Sequence, residues 1–341
     1  MAADGDAGGA GPRGLGPDGG GAGLHGLAIP EEFGGSGFGP VEQLVVAEES
    51  GRALLVAPFF GSVVLVANAL VTAADSAADT AAAKDLLPGL ADGSRIAALA
   101  VTEDSGSWDL TESTVTAAGD RLSGHKSFVL DGAAADLFLV SARTEQGLGL
   151  FAVEATASGL RRKSLVTLDP TRQQVRLTFD AVAARPVGDP GGAAAVLAHT
   201  VDLGLALLSA ELVGSAQAVL DMSLEYAKTR AQFSRRISFQ AVKHRLADML
   251  VAVESGQVAA YEAVRLAVDT PSQLPAAAAM AKAAASKAAV FCAIEAIQLH
   301  GGIGFTYEHD AHLYYRRAHS SALLFGDANR QKERLASLLG I

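Results

Sequence analysis

Polar residues in the stretch YAKTRAQFSRRISFQAVKHRLADM, residues 226–249, are spaced for more than helix building. Arg230, Gln232 and Phe233 close one helical pattern, and Gln240, His244 and Asp248 recur at four-residue steps down the next. A later helical pattern ends in Gln298, His300, Gly301, Gly302, Ile303, Gly304 and Phe305. The first group offers a forked cation and an amide beside an aromatic ring, and the second offers backbone freed by glycine. Together they read as two halves of a pocket for an anionic, ring-bearing cofactor.

The elements that position these residues belong to a chain of 341 residues, half of them hydrophobic and 19% charged, enough to bury a large core in more than one domain. A formal net charge of -10 gives no broad basic surface for nucleic acid or an anionic membrane. The lone Cys292 excludes an internal disulfide framework and reads as a buried structural thiol in a reducing compartment. No membrane-spanning run and no signal pattern are expected, which predicts a cytoplasmic protein.

Texture divides the chain into four. Residues 1–26 are glycine-rich and nearly without apolar side chains, a composition that predicts a disordered tail. Residues 27–94 carry a helical period, with Leu44, Val45, Glu48 and Glu49 leading to Leu54 and Leu55 and an alanine-rich segment to Lys84. Over 95–188 the period falls to near two, in runs at 97–101, 127–130, 137–140 and 175–179. Turn signals at 118–120, 131–132 and 146–147 punctuate them and predict a small antiparallel barrel or sandwich. From 193 to 341 long helical segments return, broken at 269–271, 301–302 and 326.

Helices, then strands, then a helical bundle, with five particular segments, resemble the acyl-CoA dehydrogenases, a family of FAD flavoproteins. The segments are IPEEFGGSG (29–37), AVTEDSGSWD (100–109), LSGHKSFVLDG (122–132), the R-x-Q-F element at Arg230, and QLHGGIGFTYE (298–308). The resemblance implies an N-terminal α-helical domain, a middle antiparallel β-barrel or sandwich and a C-terminal four-helix bundle. By the same resemblance, Arg230 pairs with the FAD pyrophosphate, and Gln232 and Phe233 face the cofactor of a neighbouring subunit. Gln298, Gly301 and Gly302 line its backbone approach, Thr102 lies beside the flavin ring, and Phe128 stands where the family usually has a Trp. Leu130 replaces a flavin-side Thr. Glu31, Glu32, Gly34 and Gly35 read as a structural turn. His309 and His312, with Glu308 and Asp310, have a spacing that suits a metal, but no third-ligand motif accompanies them and none is expected.

The implied reaction is α,β-dehydrogenation of an acyl-CoA thioester, which needs a carboxylate base. An ungapped carry-over from the triplet Arg316, Arg317 and Ala318 puts Phe325 at the usual base position, and the alternative family position falls at Gly204, beside Leu205. Neither takes a proton. Asp327 is two residues past the first position, and Glu211 reads as a buried structural carboxylate. Three readings remain open: a base-lacking, FAD-contacting subunit of a heterotetramer with a homologous chain; an active homo-oligomer using Asp327 or Glu308; and a non-catalytic binding protein. Electron-transfer flavoprotein is the acceptor that the resemblance implies.

Overall fold

The computed structural model describes residues 23–78, 80–108, 110 and 113–341, so the glycine tract up to residue 22 lies outside the described residues. Its expected end at 26 is too late. His25 and Gly26 are buried, and a Cβ on Gly26 would lie 2.9 Å from the Ala91 carbonyl oxygen, so these residues belong to the packed N-terminal domain. Glu31–Phe33 forms one 3-10 turn closed by Gly34 at φ +82°, the structural role expected of that run. Helix α1 (Pro40–Arg52) follows, its first turn fastened by the Gly39 N–H donating to the Glu42 carboxylate at 2.9 Å. Leu54 and Leu55, read as helical, fall beyond its end, and Leu54 turns the chain at φ +47°. A fully buried π-helical stretch, Phe59–Ala67, runs directly into α2 (Asn68–Ser76), and α3 (Ala81–Ala91) completes the domain.

The middle domain contains β1 (Ala97–Ala100), β2 (Thr116–Ala118), β3 (Arg121–Leu130), β4 (Leu137–Thr144), β5 (Gly147–Glu154), β6 (Leu160–Ser164), β7 (Gln174–Ala183) and β8 (Arg185–Val187). They form one sheet in the order β6-β7-β3-β2-β4-β5-β8, with β1 beside β4. Most pairs are antiparallel as expected, but β1 and β2 run parallel to β4. No hairpin joins either of them to β4, so nothing forces the antiparallel sense. The period-two alternation divides β4 between two cores. Phe138 and Val140 fill the sheet's own interior, and Leu137 and Leu139 pack toward the helices.

The C-terminal domain is built on α4 (Ala193–Thr229), α5 (Ala241–Asp269) and α6 (Leu274–His300), which pack on one another, with α7 (Ala311–Leu323) and α8 (Ala328–Leu339) against α6. The breaks fall where the sequence signals them. Contrary to expectation, three helical stretches among the described residues, Phe59–Ser76, Ala193–Thr229 and Pro271–Phe305, are long and apolar enough to cross a membrane by length and composition. The first two bury 72% of their most apolar windows inside the fold, so their apolarity is that of helices surrounded by protein. The third buries only 39%.

Helix α1 crosses α4 at backbone contact distance. A Cβ on Gly51 would lie 1.9 Å from the Glu211 carbonyl oxygen, and one on Gly214 would lie 1.9 Å from that of Glu48. Only glycine fits at such a crossing. Beside it, the fully packed Glu211 Oε1 accepts from Arg172 Nη2, and from Arg317 Nη1 at 2.9 Å. Arg317 also donates to Thr171 Oγ1 at 2.7 Å and to the carbonyls of Thr171 and Leu55, both at 2.9 Å. Burial pushes the Glu211 carboxyl up, but the two guanidiniums outweigh it and hold the group below its ordinary range and ionised. The structural role expected of Glu211 is thus met by a junction of all three domains. Glu211→Gln leaves two buried guanidiniums short of a counter-charge, and a loss of about 3–5 kcal/mol is expected in chemical denaturation.

Candidate functional site

Thr102 follows β1 and is tied to β3. Its hydroxyl donates to the Ser127 carbonyl at 2.6 Å, and the Ser127 N–H donates back to the Thr102 carbonyl at 2.9 Å. Beyond Ser127 the register of β3 slips, and in that bulge Phe128 takes φ +57° and leaves its ring partly exposed. Thr102 and Phe128 therefore share one wall. That wall is braced from behind by Lys126, fully buried, whose ammonium donates to Val101 O at 3.0 Å, Glu103 Oε1 at 2.9 Å and Ser113 Oγ at 2.9 Å. In front, the Ser127 hydroxyl donates to Asp104, which also pairs with Arg176 at 2.6 Å and lies 3.0 Å from His125 Nε2.

The second group of predicted residues gathers at one end of the bundle. Arg230 caps α4 in an extended conformation, and the chain turns back through the short hairpin β9 (Ala231–Gln232) and β10 (Arg235–Arg236). Its turn residues, Phe233 and Ser234, both have positive φ, at +50° and +62°. Phe233 is 97% exposed, and Arg230 and Gln232 are exposed as well. Among the described residues no ion pair involves Arg230. Gln298, Gly301 and Gly302 are exposed at the end of α6, with open space over both glycines, and Gly301 takes φ +63°. The two helix ends are joined by rings: Tyr226, one turn before Arg230, stacks on buried His300 at 4.4 Å, and His309 packs against His300 at 4.4 Å. Cofactor-type donors from two distant stretches thus share one surface. No hydrogen bond or ring contact joins that surface to Thr102 and Phe128 among the described residues.

Other expectations resolve individually. Gln240, read as helical, precedes α5 at φ +38°, while His244 and Asp248 continue an exposed face of α5. His312 lies edge-on to Tyr307 at 5.0 Å, and the described residues contain no cluster of three metal-type ligands. Cys292 is buried and its thiol is pushed up to about 12 by burial, which makes it inert. Asp327 caps α8, accepting from the N–H groups of Asn329 at 3.1 Å and Arg330 at 2.9 Å.

At the expected base position Phe325 is buried to 4% exposure at φ +60°, its ring 4.7 Å from Trp108 and 6.3 Å from Phe60. Gly204 lies inside α4, facing Leu65. Sequence reasoning missed Lys282, which is fully buried in α6 and donates to Ala322 O at 2.9 Å, Gly326 O at 3.4 Å and Ser286 Oγ at 3.1 Å. Burial pushes its ammonium down to about 7. A lysine in an alanine-rich helical run gave the one available signal, a cation on an otherwise apolar face.

The chain thus has a three-domain architecture: an N-terminal helical domain, a middle sheet and a C-terminal bundle carrying a polar, glycine-edged surface. Family models place it. The acyl-CoA dehydrogenase N-terminal domain matches residues 1–94, and the acyl-CoA dehydrogenase C-terminal domain matches residues 192–339. The chain belongs to the acyl-CoA dehydrogenase family, whose members are FAD flavoproteins and oxidoreductases acting on CH-CH groups. It is 36% identical to acyl-CoA dehydrogenase IpdE2 of Mycobacterium tuberculosis over 92% of this chain and 83% of that protein. A variant of the Tcur3481-Tcur3483 steroid ACAD superimposes with a TM-score of 0.83 at 35% identity, covering 94% of this chain and 86% of the other. The ChsE4-ChsE5 complex from Mycobacterium tuberculosis gives a TM-score of 0.83 at 31% identity, covering 94% and 85%.

The wall that carries Thr102 and Phe128 depends on an ionised Glu103. Burial raises this carboxyl, but hydrogen bonds from Thr114 and Lys126 and the Lys126 charge outweigh it, taking it from 4.5 to about 2. Ionised Glu103 therefore stabilises the fold above pH 4.5, and the contribution is lost as pH falls toward 2. Wild type should be the more stable at neutral pH, and urea midpoints of wild type and Glu103→Gln should converge across that window.

Proposed function

We propose that this chain is the FAD-contacting, base-lacking subunit of a heteromeric acyl-CoA dehydrogenase, assembled with a homologous chain that supplies the catalytic carboxylate. One observation carries the reading: the cofactor-type residues stay exposed at the bundle end while the base position holds a buried Phe325. The residues fit the cofactor. Arg230 offers forked donors to a pyrophosphate, Phe233 an unpacked ring, Gln232 and Gln298 exposed amides, and Gly301 and Gly302 unobstructed backbone. Bound there, FAD would supply the acceptor for a hydride from the β-carbon, with removal of the α-proton left to a base.

In this chain the contribution is binding and orientation. The Tyr226–His300 stack holds the two donor groups at one surface, and that no hydrogen bond or ring contact among the described residues joins this surface to the Thr102–Phe128 wall suits a cofactor shared between chains. The two-chain neighbours, one of them a steroid ACAD, favour a heteromeric assembly, for which we take a heterotetramer acting on a steroid-derived or similarly bulky acyl thioester, and the family resemblance adds electron-transfer flavoprotein as acceptor. The apolar stretch Pro271–Phe305, buried over only 39% of its most apolar window, supplies surface for that assembly.

Co-expression with a homologous dehydrogenase chain tests this directly. A yellow complex that oxidises acyl-CoA only with both chains present is expected, and turnover by this chain alone would overturn it. Arg230→Ala should weaken FAD retention by roughly 10–100-fold, read from flavin absorbance after gel filtration. Asp327→Asn, which keeps the helix cap, should leave turnover of the complex unchanged.

A further inference from the structure

Each of the three domains contributes one aromatic ring to a single cluster of mutually tilted rings at their meeting point. Phe60 comes from the N-terminal domain, Trp108 from the middle domain and Phe325 from the loop between α7 and α8. The Phe60 ring also carries the Arg172 guanidinium, 5.2 Å from its centroid. A bulky residue at positive φ is strained, and Phe325 is held there from several sides. Lys282 binds the carbonyls of Ala322 and Gly326, and Gln331 Nε2 donates to the Phe325 carbonyl at 2.6 Å. On the Arg172 side of Phe60 a cavity of about 20 Å³ remains, lined by Phe59, Phe60, Arg172 and Glu211 and by neither Trp108 nor Phe325. That is room for a water molecule and not for an acyl chain.

We propose that Phe325, with Trp108 and Phe60, plugs this chain's own acyl cleft, so that the acyl thioester enters only the partner chain. The inference rests on the subunit reading above and adds a steric reason to the chemical one. Loss of the base removes proton transfer, whereas the plug removes binding itself. Phe325 and Trp108 act as exclusion residues and touch no reacting atom. Lys282 is a positioning residue that keeps the plug seated.

Trp108 is the chain's single tryptophan, so a fluorine label on tryptophan reports on the plug alone. The labelled full chain, by itself and assembled with an unlabelled partner, is titrated with hexanoyl-CoA and, as control, with free CoA. In the wild-type chain the resonance should not move. Phe325→Gly, which suits the positive φ, should give a saturable displacement with hexanoyl-CoA and none with CoA. Should that variant fail to fold by circular dichroism, Phe60→Leu opens the stack from the opposite side and is judged by the same criterion. A saturable displacement in wild type, or a folded opened variant that stays silent, overturns the proposal. A colourless, inactive complex would instead sink the subunit reading and leaves the resonance assay intact, so the two failures are distinguishable.

Discussion

The Glu211 carboxylate, shared between the guanidiniums of Arg172 and Arg317, is the interaction on which the arrangement of domains depends. Ionic groups buried this deeply are tolerated only when each finds counter-charge and hydrogen bonds, and here they find them in different domains. Glu211 sits on α4, Arg172 comes from the middle domain, and Arg317 reaches from α7 to the carbonyl of Leu55. Removing the middle domain would take Arg172 from Glu211, and removing the N-terminal domain would leave Arg317 without its Leu55 acceptor. The glycine crossing of α1 and α4 makes this possible, because it brings the N-terminal domain within backbone distance of the helix that carries the carboxylate.

That junction also fixes the aromatic stack. Arg172 lies over Phe60, Phe60 faces Phe325, and Phe325 rests on Trp108, so the charged cluster continues directly into the three rings. The position at which the family resemblance leads one to expect a carboxylate is thereby occupied by apolar mass in a strained backbone. At the other end of the bundle, Arg230 and its neighbours remain exposed. One part of the protein is organised to exclude, and the other to present donors.

Much of the fold was legible in periodicity. The change from helical period to alternation marks the middle domain, and every glycine or proline break in the C-terminal half falls at an observed helix boundary. Elements whose character depends on neighbours were read less well. Leu54 and Leu55 continue a helical pattern, yet the chain turns there to reach the π-helical stretch. The parallel pairing of β1 and β2 with β4 leaves no mark in alternation, since period two is common to both senses of pairing. Gly26 sits in a glycine-rich run that composition assigns to a tail, but its lack of a side chain is what lets it pack on Ala91.

The sequence by itself determined the order of domains, the family segments, the set of cofactor-type residues and the absence of a carboxylate at positions 325 and 204. These are local matters of residue type and spacing. Tertiary structure decided which of those residues meet. It brought Arg230 and Gly301 to one surface through the Tyr226–His300 stack, gave Glu211 two buried guanidiniums, and seated Phe325 between Trp108 and Phe60. Such contacts join residues far apart in the chain, and the free energy of burial that selects them is a property of the packed whole, with no counterpart in any short stretch of sequence.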